Sequence, residues 1–222
     1  MWCVAKLDEA YIERMEDVLK VYEKPLVARA PVVCLDEKPV VLHADTRLPE
    51  PMRPGHVARR DYEYRRCGTA NVFCAVEPKA GRHFTKPTAT RKAPDFAEFL
   101  LEIAASYPKA DTIHLVLDNL STHTRKAVVD WYGEKDGDWL WGRFTIHHTP
   151  KHGSWLNQAE IEIGIFSRQC LGKRRIGNIA DLITQTRAWN QRINRDQTTI
   201  DWKFTRKKTR LKLKYNIMRS RY

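Results

Sequence analysis

Three acidic residues stand in settings where carboxylates could do chemistry. Asp36 follows the apolar run Pro31-Val-Val-Cys-Leu35, Asp118 follows Ile113-His-Leu-Val-Leu117, and Glu160 lies inside Ser154-Trp-Leu-Asn-Gln-Ala-Glu160-Ile161. Short runs of Val, Leu and Ile predict buried strands near the centre of a sheet. Two such strands that each close on an Asp bring like charges together, which costs stability unless a cation compensates. Oxygen-only ligands point to a hard ion, Mg2+ or Mn2+, rather than zinc. Carboxylates gathered around such ions serve phosphodiester chemistry on nucleic acid. A single Asp past a strand is ordinarily a turn residue or helix cap, so the inference rests on the pair with the Glu.

The segment from Trp155 through Leu171 reads as one helix. Leu156, Ala159, Ile163, Phe166 and Cys170 form its packing stripe, with Asn157, Glu160, Gly164 and Ser167 beside it as a small, polar face. Glu162 lies roughly 200° around the helix from Glu160, so only one of the two can face the metals. Small neighbours leave room for a phosphate backbone and favour Glu160. No basic residue stands at helical-neighbour spacing from Glu162, which is therefore expected to be a solvated surface charge.

Other groupings read more plainly. His147, His148, Lys151 and His152 cluster without the cysteine or carboxylate spacing of a structural zinc site, and a place near a phosphate is expected for them, Lys151 and His152 above all. Asp118, Ser121 and His123 contain the residue types of a hydrolase triad, but six residues of one turn give poor triad geometry. His123 is expected to support the Asp118 loop by hydrogen bonding.

The bulk composition agrees with a polyanionic partner. Thirty-nine Lys and Arg against 27 Asp and Glu give a formal charge of +12 over 222 residues, which favours nucleic acid. Five cysteines form no C-x-x-C pair and read as reduced, buried thiols. The chain opens without a basic stretch followed by an apolar one, and no segment reaches the roughly 18 apolar residues of a membrane span. A cytoplasmic, nucleoid-associated protein with no membrane contact is the expectation.

The elements that must position these residues follow from periodicity. Leu7, Tyr11, Met15, Leu19 and Tyr22 mark an amphipathic first helix. Strands are predicted at Val32 to Leu35, Thr69 to Val76, Arg82 to Lys86, Ile113 to Leu117 and Arg143 to His148. Helices are predicted from Pro94, with Phe96, Phe99, Leu100, Ile103 and Ala104 on one face, then over Thr124 to Tyr132 and Ile179 to Ile193. Gly133 to Gly142 reads as an interrupted insertion. The long polar stretch His43 to Gly68 reads as a functional or solvated loop. Its Arg59, Arg60, Arg65 and Arg66, interleaved with tyrosines, suit phosphate tracking and base stacking. The tail from Lys203 to Arg221 is dense in Lys and Arg, a solvated segment that DNA would turn into phosphate contacts. This order predicts an α/β domain, a mixed five-stranded sheet flanked by helices on both faces. Its expected bounds are 1–30 for an N-terminal helical segment, 31–195 for the catalytic domain and 196–222 for the basic tail.

With those residues in view, the chain resembles the DDE transposases of bacterial insertion sequences, in the insertion sequence 630 group, relatives of the mariner superfamily. The matching pieces are Leu35-Asp-Glu-Lys-Pro39, Arg60-Asp-Tyr-Glu-Tyr-Arg-Arg-Cys-Gly-Thr-Ala-Asn71, Val116-Leu-Asp-Asn-Leu-Ser-Thr-His123 and Thr149-Pro-Lys-His-Gly-Ser-Trp-Leu-Asn-Gln-Ala-Glu-Ile161, with Trp189-Asn and Trp202-Lys-Phe-Thr205 further on. They span nearly the whole chain in order. The resemblance implies an RNase H-like fold in which Asp36, Asp118 and Glu160 bind two Mg2+ ions, with Mn2+ able to substitute. It also implies in-line attack on phosphorus by water and then by a freed 3'-hydroxyl, without a covalent enzyme intermediate. The implied partners are double-stranded DNA, as terminal inverted repeats and as target, and a second copy of the chain in a homodimer.

The chain departs from the family in two ways. The interval from Asp118 to Glu160 exceeds the usual spacing, an excess placed in the Gly133 to Gly142 insertion. Only about thirty residues precede the first strand, too few for the helix-turn-helix modules that read the repeats. A catalytic domain without its sequence reader is expected, binding DNA weakly and with strong salt dependence. The rivals are an inactive relic or regulatory DNA-binding fragment, and a ribonuclease of RNA/DNA hybrids on the same fold.

Overall fold

The computed structural model describes residues 7–215. Its strands are β1 (Val32–Asp45), β2 (Tyr64–Glu77), β3 (Arg82–Thr88), β4 (Ile113–Leu117) and β5 (Phe144–His148). They form one sheet in the order β3-β2-β1-β4-β5. The first three make an antiparallel meander, while β4 and β5 run parallel to β1. The central strands are buried on both faces, which is why their sequences read as unbroken apolar runs. Val33, Leu35, Phe73, Ala75, Leu115 and Leu117 meet α2 (Ala93–Ser106), α3 (Arg125–Tyr132) and α4 (Glu134–Gly142) on one face. Cys34, Val76 and Val116 meet α1 (Glu9–Glu23) on the other, and Val40, Leu42, Val72 and Cys74 pack with residues of the segments that follow β5. The α2 stripe is buried as its spacing predicts, and each of its phenylalanines contributes roughly 1.5–3 kcal/mol of transfer free energy.

Several expectations need correction. β1 does not stop at Asp36 but runs on to Asp45, because β2 accompanies it back to Tyr64 through a bulge at Leu42/His43. Past Cys34 only β2 pairs with β1, so a proline at position 39 is tolerated on the open side. The expected loop shrinks to 46–63, and even there Glu50 pairs with Arg59 and Arg53 with His56. Pro54 and Gly55, the latter at φ +77°, supply the turn of this short hairpin arm.

The insertion is helix α4, not an irregular segment. Gly133 ends α3 at φ +83°, and Gly137 lets α4 lie against α3, since a Cβ there would come within 2.6 Å of Val129 Cα. The helix expected from Trp155 is broken. A 3-10 turn at Ser154–Leu156 precedes α5 (Ala159–Phe166), which ends in a π turn at Ser167–Leu171, and α6 (Ile179–Asp196) follows.

The basic tail is not simply solvated. Its α7 (Arg206–Leu213) docks on α1, where Arg210 grips Glu16 at 2.6 Å and Arg206 grips Glu23 at 2.7 Å. The rest of the tail, 216–222, and Cys3 lie outside the described residues. Cys34, Cys74 and Cys170 are buried free thiols and Cys67 is partly exposed. Among the described residues no helix is long and apolar enough to cross a membrane.

Candidate active site

Alternation along β1 turns Leu35 toward α2 and Asp36, like Cys34, toward the opposite face. Cys34 and Val116 form the last register pair between β1 and the parallel strand β4, and two residues further along each chain stand Asp36 and Asp118, near enough for the charge of one to act on the other. Asp36 Oδ1 accepts from Glu37 N–H at 2.8 Å. Burial pushes its carboxyl up to about 7 against that hydrogen bond, and the negative charges of Glu160, Glu37 and Asp118 add to the rise. Asp36 therefore feels both of the other predicted acids.

Asp118 has the opposite electrostatics. Its Oδ1 accepts from Leu120 N–H at 3.0 Å and from His123 Nδ1 at 2.8 Å, and its carbonyl receives the His148 ring at 3.2 Å. The His123 hydrogen bond foremost holds the Asp118 carboxyl below its ordinary range, against the effect of burial. For His123, burial alone would lower the imidazole, but hydrogen bonds to Asp118 and Glu37 win and push it up to about 9. At neutral pH it is an imidazolium with both ring nitrogens donating, Nε2 to Glu37 Oε1 at 2.6 Å. That second bond ends the triad reading, since the imidazole has nothing left for Ser121. The expected support of the Asp118 loop is present.

Glu160 sits in the first turn of α5 with its side chain exposed. Asn157, expected on an open polar face, is buried instead: Nδ2 donates to Leu35 O at 2.8 Å and Oδ1 accepts from Ala159 N–H at 3.1 Å. It thereby pins the start of α5 to β1 one residue before Asp36. Glu162 is no surface charge. It is fully buried, with Oε2 2.8 Å from His83 Nδ1 on β3, a partner no local spacing could reveal. A Cβ at Gly164 would meet Arg168 Nη1 at 3.3 Å, so the room beside Glu160 borders a guanidinium that sequence reading missed.

The cationic candidates divide. Arg59, Arg65 and Arg66 are exposed on the arm and the outer half of β2. Arg60 is a strut, donating to Asp45 at 2.8 and 3.1 Å and to Lys173 O at 3.1 Å. Arg175, unnoticed in sequence, bonds Asp45 and the carbonyls of Asp61, Tyr62 and Glu63 and so ties down the base of the arm. Lys151 and His152 are exposed and line a cleft with Tyr11 and Arg14. His147 is not exposed with them. It lies buried between Asp17 of α1 at 2.7 Å and His114 at 3.0 Å, and His114 in turn meets Lys24 at 2.8 Å.

Among the described residues no three His, Cys, Asp and Glu side chains stand close enough to hold a metal ion as they are placed. The donor set nonetheless fits a hard divalent cation. It is all oxygen, and the Asp36 carboxyl, raised by burial first and by the neighbouring negative charges second, is one that a cation would favour in its ionised form.

A sheet ordered 3-2-1-4-5, with helices on both faces and β4 and β5 parallel to β1, defines an RNase H-like fold. The model of the DDE superfamily endonuclease family matches residues 31–183, and the chain belongs to that family. No curated protein matches it in sequence. Among solved structures, the mariner Mos1 paired end complex with Mg aligns at TM-score 0.56 and 16% identity over 89% of this chain and 59% of that one. The Mos1 paired end complex with Mn gives 0.53 and 16% over 86% and 58%, and the Mos1 Strand Transfer Complex 0.55 and 15% over 86% and 57%. The chain thus spans less than two thirds of the length of these structures, and the likeness is one of fold.

Proposed function

We propose that the chain is the catalytic domain of a DDE transposase of the insertion sequence 630 group, cutting DNA strands at element ends and joining them to a target. Asp36, Asp118 and Glu160 are the metal-binding acids of this reading. The observation that supports it most is the placement of Asp36 and Asp118 two residues beyond the Cys34–Val116 pair of β1 and β4, with the Asp36 carboxyl raised by burial and further by the charges of Glu160, Glu37 and Asp118. Two Mg2+ ions, or Mn2+, would supply Lewis-acid stabilisation of the attacking and departing oxygens.

The chain's own residues do the rest. The ladder to β2, in which Asp36 faces Cys74, fixes Asp36; His123 and Leu120 orient Asp118, and Asn157 sets where Glu160 emerges. Arg59, Arg65, Arg66, Lys151 and His152 meet phosphates on a duplex, joined by Arg168. The exposed apolar tip of the arm, with Leu48 and Met52 at 93% and 77% exposure, gives two copies a surface on which to pair. The 31–195 segment is the catalytic unit in this reading, acting on DNA in the cytoplasm at the nucleoid.

The test is cleavage and joining of a labelled terminal-repeat duplex in Mg2+, with Asp118→Asn alongside. Joined product from the wild type alone is expected. Cleavage of an RNA/DNA hybrid with no joining would favour the ribonuclease, and equal activity of both proteins would remove the proposed role of Asp118.

A further inference from the structure

Glu37 is left unused by the reading above although it directly follows Asp36. Successive strand residues face opposite sides, so Glu37 points to the α2 face. Its side chain is 4% exposed and its Oε1 lies 2.6 Å from His123 Nε2. The His123 ring is wholly buried and packs on Phe96 with centroids 4.5 Å apart. Its other nitrogen reaches Asp118 Oδ1 at 2.8 Å.

We propose that Glu37 is a positioning residue which, through His123, holds Asp118 Oδ1 in place and leaves Oδ2 as the oxygen presented to a divalent cation. The proposal rests on the reading of Asp118 as a metal ligand. An imidazole is rigid, so fixing one ring nitrogen fixes the direction of the other, and Phe96 removes the freedom to swing aside. Without an acceptor at position 37 the buried Nε2–H is orphaned, and the ring must turn or recruit water, releasing Asp118. Outer carboxylates that orient metal-site residues in this way ordinarily carry a measurable share of affinity. Adjacent residues on one strand thus serve two positions of the same site, Asp36 by direct ligation and Glu37 by way of a histidine 86 positions away.

The experiment titrates Mn2+ into the full chain by calorimetry, comparing wild type with Asp118→Asn, Glu37→Ala, Glu37→Met and Glu37→Gln, each checked for folding by circular dichroism. Glu37→Met keeps the volume and serves if the alanine variant does not fold. Removing the acceptor should weaken Mn2+ binding about 10- to 100-fold. Glu37→Gln, whose amide oxygen still accepts from Nε2–H, should stay within about threefold of wild type. The His123 ring N–H resonances give a readout independent of metal, with the Nε2–H signal protected in wild type and Glu37→Gln and lost in Glu37→Met. Wild-type affinity in folded Glu37→Met, beside a weakened Asp118→Asn, would overturn the positioning role. Wild-type affinity in Asp118→Asn would instead overturn the site reading on which it stands.

Discussion

His83 Nδ1 lies 2.8 Å from Glu162 Oε2, with both side chains fully buried. His83 Nε2 is satisfied by the Thr198 carbonyl at 2.9 Å, while Glu162 Oε1 has no hydrogen-bond partner among the described residues. This pair fixes the rotation of α5 about its own axis. With Glu162 locked toward β3, Glu160 can only emerge on the side away from it.

Breaking that pair should be costly in one direction. His83→Ala strands a buried carboxylate and should lower the unfolding free energy by about 3–5 kcal/mol, whereas Glu162→Gln keeps an acceptor and should cost much less. Urea denaturation of both variants checks this, and equal losses would contradict it.

The two glutamates should separate in function. Glu160→Gln should reduce Mg2+-dependent nicking roughly a hundredfold or more, as losing several kcal/mol of transition-state stabilisation requires, while leaving the melting temperature near wild type. Glu162→Gln should show the reverse balance, with stability lowered and nicking per folded molecule kept. Nicking rates set against melting curves decide the matter.

The chain Lys24–His114–His147–Asp17 should make stability sensitive to acid. Burial lowers the His114 imidazole to about 4, helped by the positive charges of Lys24 and His147. Its folded value lies below its unfolded one, so the unfolded chain binds more protons and stability is lost as pH falls from about 6.5 to about 4. Asp36 and His123 titrate with the opposite sign, their stabilisation fading as pH rises. The measurement is therefore a difference, the urea midpoint of wild type minus that of His114→Gln. That difference should shrink between pH 7 and pH 4.5, and a constant difference would refute the assignment.

On DNA the arm arginines should not behave alike. Arg59→Ala, Arg65→Ala and Arg66→Ala should each weaken binding across all sequences and reduce the salt slope by about 1. Arg60→Ala should instead loosen the arm and expose 46–63 to protease, because its guanidinium is spent on Asp45. Fluorescence anisotropy at several salt concentrations, with limited proteolysis, distinguishes the two outcomes.

Much of this was legible in the sequence because it depends on local pattern. β4 and α2 follow from apolar runs and helical spacing, and the His123 hydrogen bond to Asp118 from the nearness of the two in sequence. The misses share a physical cause, that the deciding partner lies far along the chain. β1 continues past Asp36 only because β2 pairs with it, Glu162 is buried only because His83 waits 79 positions earlier, and Arg210 is spent on a glutamate 194 positions away. α4 was hidden by Gly137, which looks like a breaker but serves a close helix crossing.

The strand that continues past Asp36 also divides the labour of motion. An acid in the middle of a ladder cannot move unless the sheet tears, and Asp118, just past the end of β4, is held by Leu120 and His123. Glu160 hangs exposed from the first turn of a short helix that Asn157 and the buried Glu162–His83 pair hold to the sheet. In the proposed reading the sheet is the fixed jaw of the site and the exposed Glu160 side chain the adjustable one, so closing around a cation falls to a rotamer change rather than to movement of the backbone.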